Sequence, residues 1–221
     1  MLRWLLLLPL LLVACSPVLP DQKSIDQLKA TAPTHTRLSD LPYERLSVPA
    51  TVTFRLEPGG PVMQLGDFGK QYVKGFELPA DGGDLRLVLR SYDMPFSYTK
   101  RNILYPIVVM LDAEHKPIGV SSLRALRFTE ISLINEPSEQ PRLELAFEIG
   151  GEPRARVRYL LIHTSRNMLE FGHAALDLEP YRVAAAAYVP IFIPSGGGGG
   201  PSLPIASPVG SLKLMVMPAR R

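Results

Sequence analysis

DLRLVLRSY (84–92) sets Leu85, Leu87 and Leu89 on one side of the chain and Arg86 and Arg90 on the other. A period of two belongs to an extended strand with one buried and one wet face. The alternation recurs along the chain. TVTFRLE (51–57) opposes Val52, Phe54 and Leu56 to Thr51, Thr53, Arg55 and Glu57. LELAFEI (143–149) opposes Leu143, Leu145, Phe147 and Ile149 to Glu144 and Glu148, and SLKLMV (211–216) places Leu212, Leu214 and Val216 opposite Lys213. YVKGFEL (72–78) alternates less cleanly. These segments read as half-buried strands of antiparallel sheets. ILYPIVVMLD (103–112) and the later part of RARVRYLLIHT (154–164) are instead continuous apolar runs. They predict central strands, or strands covered on both faces. Pro106 inside the first run predicts an edge position or a bulge there. With 22 Pro and 17 Gly to supply turns, the pattern predicts an all-β chain. Its expected form is an antiparallel β-sandwich of about seven to nine strands with one or two short helices.

Helical signals are few. Ser165 is placed to cap a short turn through Met168 to Phe171. PYRVAAAAY (180–188), with Pro early and Pro190 as a stop, predicts a short helix. IPSGGGGGPSLPIASPVG (193–210) reads as a Gly/Pro-rich loop without regular structure, because five consecutive Gly maximise backbone freedom. It lacks the Lys-Ser/Thr that completes a phosphate-binding loop. SPVLPDQKSIDQLKATAPTHT (16–36) is polar and punctuated by Pro. Ser24-Ile25-Asp26-Gln27 fits a weak capping box for one or two helical turns, but a flexible spacer is the expectation. The sandwich domain is therefore assigned to 46–221, and the lipid anchor and spacer described next to 15–45.

At the start of the chain, Arg3 precedes an uncharged apolar run from Trp4 to Val13. As a helix this run would be about 15 Å long, roughly half of a hydrocarbon core, so it reads as a secretory leader rather than a span. It ends in Leu12-Val13-Ala14-Cys15, which resembles a bacterial lipobox. A peptidase cutting ahead of the cysteine needs small side chains in its cleft, and the free thiol is the nucleophile that takes diacylglycerol. Cys15 is the only cysteine and cannot form an intramolecular disulfide. Residues 1–14 are thus expected as a lipoprotein signal peptide and Cys15 as the site of lipid attachment, which makes the membrane a partner. Two or three acyl chains give stable anchoring. Ser16, where an Asp would suggest inner-membrane retention, points to the outer membrane, facing the periplasm. The formal net charge of +3, one less without Arg3, is too mild for a nucleic-acid footprint. The only tryptophan, Trp4, leaves with the leader.

Nothing in the sequence spells out an enzyme. His35, His115, His163 and His173 show no metal-ligand spacing, there is no HExxH, and cysteine clusters cannot exist, so no metal and no cofactor is expected. His163, in an apolar strand, reads as a hydrogen-bonded core or edge histidine. There is no GxSxG elbow, and Asp81 with Asp84, or Asp177 with Glu179, sit where Asp holds turns or caps helices. No catalytic residue is assigned. Arg154, Arg156 and Arg158 read as one face of a strand. Its pairing with 143–149 across Gly150-Gly151 would set Glu144 and Glu148 beside the arginines, a reading preferred to an anion or headgroup patch. The most site-like segment is SYDMPFSYTKRN (91–102), where Tyr92, Phe96 and Tyr98 crowd a connection that also offers Arg101. Aromatic faces stack on sugar rings while charged groups read hydroxyls. The same rings can equally fold back and cap the sandwich.

Taken in succession, YPIVVMLDAEHKP (105–117), RYLLIHTSRNML (158–169), the Ala-rich PYRVAAAAY, the Gly/Pro excursion and PVGSLKLMV (208–216) resemble the maltose operon periplasmic protein (MalM) family. The resemblance implies an exported protein associated with carbohydrate-transport operons, without an enzymatic role, and it carries no active-site motif onto this chain. The lipobox and the penta-glycine stretch depart from the family pattern. The expectation is a non-enzymatic, lipid-anchored periplasmic accessory of maltose or maltodextrin transport, binding a glycan weakly or docking on a transport component. The alternative is a structural envelope lipoprotein that engages another envelope protein or a cell-wall component.

Overall fold

The computed structural model describes residues 21–80, 83–92, 94–97, 100–121, 125–129, 140–164, 169 and 205–219. In chain order the elements are α1 (Gln22–Ala30), β1 (Tyr43–Arg45), β2 (Ala50–Leu56), β3 (Val62–Gln64), β4 (Lys70–Tyr72), β5 (Lys74–Glu77), β6 (Leu85–Tyr92), β7 (Met94–Ser97) and β8 (Lys100–Ile103). There follow β9 (Ile107–Leu111), β10 (Pro117–Val120), β11 (Leu126–Thr129), β12 (Arg142–Ile149), α2 (Gly151–Arg156), β13 (Tyr159–His163), β14 (Ile205–Ala206) and β15 (Gly210–Pro218). Two five-stranded sheets form the sandwich. The first has the order β1-β5-β13-β9-β10 and the second β11-β12-β6-β15-β2. The remaining strands make a β14-β8-β7 sheet and a β3-β4 ribbon, so short strands outside the two faces raise the count. Pairing is antiparallel except for β1 on β5 and β14 on β8.

The alternating strands behave as their periodicity requires. DLRLVLRSY becomes β6, the middle of the second sheet, paired along its whole length with β12 and with β15. Its Leu85, Leu87 and Leu89 meet Leu145, Ile149, Leu212, Leu214 and Val216 in one core, together with Phe76, Leu78, Val108, Leu160 and Ile162 from the first sheet. Phe54 and Phe76 meet edge to face across the sandwich at 5.1 Å. Each such side chain fully removed from water contributes roughly 1.5–3 kcal/mol. On the wet face, Glu144 stands opposite Arg90 and accepts from its Nε at 2.8 Å, and Glu148 stands opposite Arg86.

The apolar runs become β9 and β13, neighbours inside the first sheet. Their second face is also covered: Leu41, Met63 and Val73 pack on Ile107, Val109, Leu111 and Leu161. Pro106 lies just ahead of β9, so its missing N–H removes no ladder bond and neither an edge nor a bulge is needed there. The irregularity of this hairpin falls in β10, between Pro117 and Gly119.

Four segments differ from expectation. Residues 22–45, read as spacer, are folded onto the domain: α1 buries Ile25 and Leu28, and β1 extends the first sheet. Helix α1 starts two residues before Ser24, and only two apolar residues one turn apart hold it to the core, a signal that the polar composition hides. The connection at 91–102 is a hairpin, with β6 running to Tyr92 before β7 and β8. The arginine stretch forms no strand with β12. Gly151–Arg156 is helix α2, with Pro153 in its first turn where a missing N–H costs nothing. Within 193–210, Ile205–Ala206 forms β14 and Gly210 opens β15. The helices expected near 165–171 and at 180–188 lie outside the described residues, apart from Leu169.

Candidate functional site: an aromatic stack with a charged rim

Strands β1, β5, β9 and β13 stop together at one end of the first sheet, because Tyr159 stands opposite both Glu77 and Leu111, and Arg45 opposite Glu77. The turn from β9 to β10 brings His115 back over this end. Asp112 builds that turn: its Oδ1 accepts from the N–H of Glu114 at 3.0 Å and of Lys116 at 2.8 Å, and its own N–H donates to Lys116 O at 3.0 Å. His115 takes φ 61°, the left-handed region, at a cost of roughly 1–2 kcal/mol for a residue with a Cβ.

Its imidazole lies on Tyr159, 4.2 Å between centroids and 14° from parallel. Tyr43 closes the cluster, 4.6 Å from Tyr159 and 5.1 Å from His115, both tilted. Such ring pairs contribute about 0.5–1.5 kcal/mol each beyond their burial. Tyr43 reaches this position because Gly75 stands opposite it in β5. A Cβ on Gly75 would lie 2.7 Å from Tyr43 Cδ1. The Tyr43 hydroxyl donates to Leu38 O at 2.9 Å, and burial, with Tyr159 beside it, pushes its pKa up to about 12.

A fixed ionic rim borders the rings. Glu77 accepts from Arg45 Nε at 2.9 Å on one oxygen and from Arg158 Nη2 at 2.7 Å on the other. The hydrogen bond from Arg45 and the charges of both guanidiniums hold its carboxyl below the usual carboxylate range, against the opposing effect of burial. The Arg45 side chain is 85% exposed and the Glu77 side chain 14%. Arg158 Nη1 is buried without a hydrogen-bond partner, a donor whose desolvation costs about 1–3 kcal/mol until something accepts from it.

Behind the rim, Arg154 is 4% exposed and donates to Pro79 O at 2.7 Å, Gly83 O at 3.2 Å and Val157 O at 3.3 Å. It ties the segment after Glu77 to the segment before Arg158. Burial, then the charge of Arg158, lowers its pKa.

The arrangement is suited to recognition. Flat rings accept apolar faces, and a carboxylate with two guanidiniums holds directed donors and acceptors. Both oxygens of Glu77 are occupied. His163 is fully buried at the far end of β13, edge-on to Phe68, its Nδ1 hydrogen-bonded to Thr164 O and its Nε2 without a partner. Burial lowers its pKa to about 4, so it is neutral at physiological pH. Among the described residues, no group of three or more His, Cys, Asp or Glu is placed to hold a metal ion.

The residues singled out in the sequence fall elsewhere. Cys15 and Tyr98 lie outside the described residues. Tyr92 ends β6, half-buried, opposite Arg142 and Ser211. Phe96 lies in β7 at a register irregularity between Pro95 and Ser97, and Arg101 lies in β8 opposite Pro95. Tyr92 therefore belongs to the second sheet, and Phe96 and Arg101 to the smaller one. The stack itself is missed by sequence reasoning because its three members come from three separated segments. Its one local signal is Asp112 opening a tight turn whose left-handed position holds His115.

No curated protein matches the chain. A solved structure, the pre-peptidase C-terminal domain of a collagenase from Bacillus anthracis, is similar with a TM-score of 0.30 and 8% identity, over 84% of this chain and 98% of that one. The family described as maltose operon periplasmic protein precursor (MalM) matches residues 68–188. That segment includes Glu77, His115, Arg158 and Tyr159, with Tyr43 and Arg45 ahead of it. With more than half of its length so matched, the chain belongs to the maltose operon periplasmic protein family.

Proposed function

We propose that this periplasmic protein is a lipid-anchored, non-enzymatic accessory of maltose or maltodextrin uptake that acts by binding a glycan. Family membership over residues 68–188 is the observation that carries this reading. The lipobox Leu12-Val13-Ala14-Cys15 supports the anchor, and Ser16 supports the outer membrane as its place. Because α1 packs on the domain from Gln22 onward, the tether from Cys15 spans at most roughly 20–25 Å, which holds the sandwich close to the bilayer. A binding role is supported by the site chemistry: Glu77 is saturated by two guanidiniums and His163 is sealed and neutral. Two groups of residues have suitable chemistry for a sugar. One is the 91–102 segment, whose sequence offers Tyr92, Phe96, Tyr98 and Arg101, and the other is the Tyr43–Tyr159–His115 cluster.

Titration calorimetry of the purified protein with maltose and longer maltodextrins tests the reading without tryptophan fluorescence, since Trp4 belongs to the leader. Saturable heat supports it. No heat at millimolar sugar overturns glycan binding and turns attention to a transport component or another envelope protein as partner. For the anchor, Cys15→Ala should lose the acyl mass and leave the membrane fraction. Unchanged fractionation would sink that part of the proposal.

A further inference from the structure

The geometry points to a specific sugar subsite: we infer that the His115 imidazole, backed by Tyr159, takes the apolar face of a pyranose while the exposed Arg45 donates to its hydroxyls. This rests on the carbohydrate reading above and gives it a place. The backbone supplies the first reason. A turn held by Asp112 and closed at φ 61° suits glycine, which pays no steric cost there. The turn does not need an imidazole; what the ring adds is the parallel stack on Tyr159 and a tilted contact with Tyr43. Sealing the core does not need it either. Tyr43 and Tyr159 already cover the apolar cluster of Leu111 and Leu161.

Charge narrows the ligand. Two guanidiniums against one carboxylate leave the rim with a cationic excess, which disfavours a quaternary ammonium or other cation on the rings. The negative ring faces disfavour an anion stacked on them. A neutral ring with one apolar face and polar edges fits both, and a pyranose has that shape. Arg45, mostly exposed, is the rim donor that a ligand at the surface can reach. A single stacked imidazole beside one exposed guanidinium makes this a weak site, with Kd on the order of millimolar.

The test is titration of the full-length protein with maltotriose, comparing wild type with His115→Gly and His115→Asn. Both substitutions suit the left-handed turn and remove the ring, so folding is preserved and an unchanged thermal midpoint verifies it. Arg55→Ala, exposed on β2 of the second sheet and outside both candidate surfaces, serves as the comparison. The expected result is saturable wild-type binding, weakened at least fivefold in both His115 variants and within twofold of wild type in Arg55→Ala. Wild-type binding that survives in the His115 variants within twofold would overturn this subsite and leave the carbohydrate reading standing. Absence of wild-type binding would overturn both.

Discussion

Gly75→Ala probes how the stack is assembled. Gly75 has no left-handed backbone, so alanine suits its strand, and its lower unfolded-state entropy alone would favour folding by about 0.5–1 kcal/mol. The new methyl, however, would lie 2.7 Å from Tyr43 Cδ1, 2.9 Å from Cε1 and 3.2 Å from Cγ. Ordinary carbon–carbon contact is about 3.5–4.0 Å, so the ring must retreat by roughly 1 Å. It is held by Tyr159 at 4.6 Å, by its hydroxyl bond to Leu38 O, and by a strand of only three residues. Overpacking of this kind costs about 1–3 kcal/mol, and a broken hydroxyl bond about 1 more. A net loss of about 1–3 kcal/mol is expected in urea unfolding at neutral pH. In a Tyr43→Ala background the methyl meets no ring, so the same substitution should be neutral or stabilising. The coupling between the two positions should therefore reach about 1.5–3 kcal/mol. Additivity within roughly 0.5 kcal/mol would refute the placement of Tyr43 over Gly75.

Arg154→Met removes three hydrogen bonds between a buried guanidinium and backbone carbonyls and should cost about 3–5 kcal/mol in the same assay, with Arg154→Lys failing to rescue because an ammonium lacks the planar fork. A loss below 1 kcal/mol would mean the guanidinium is not the tie described. Leu28→Ala should destabilise by about 2–4 kcal/mol, since Leu28 is 3% exposed; no measurable loss would return α1 to the spacer. His163 titrates near 4 in the folded protein and near 6.5 when unfolded, so the unfolded chain takes up its proton first as pH falls. The associated stability is whole above about pH 6.5 and is lost as pH falls through about 4, to the extent of roughly 3 kcal/mol. Between pH 7 and 4.5, His163→Gln should show a shallower decline in urea midpoint than wild type, and equal declines would count against the buried neutral histidine.

The strands with one wet face were legible because water imposes the alternation: Arg86 and Arg90 must face out if Leu85, Leu87 and Leu89 face in. The runs that become β9 and β13 were legible as doubly covered, although the sequence could not say what covers them. The cover comes from Leu41, Met63 and Val73, three sparse residues in segments whose average composition is polar or irregular. Averaging misleads again in α1, where Ile25 and Leu28 alone carry the helix to the core. RARVR has the period of a strand but follows two glycines and a proline suited to a helix start, and Arg154 satisfies backbone carbonyls instead of facing water. There a local period yields to tertiary hydrogen bonding.

The stack lies at a further remove. No segment contains it, because each member's position follows from a different constraint: Tyr43 from the bare Gly75 opposite it, Tyr159 from its register with Glu77 and Leu111, and His115 from the turn that Asp112 closes. Strand ends are where such convergence is easiest, since side chains from four strands and a loop can meet without disrupting a ladder. Arg154 makes the arrangement less local still. It joins the backbone after β5 to the backbone before β13, so the two charged partners Glu77 and Arg158 are set by one buried guanidinium that touches neither ring. A change at Arg154 should therefore disturb the rim more than the rings. That asymmetry separates the two halves of the site, because a change at Arg154 should loosen the Glu77–Arg158 pair while the His115–Tyr159 stack, held by its own turn, stays in place.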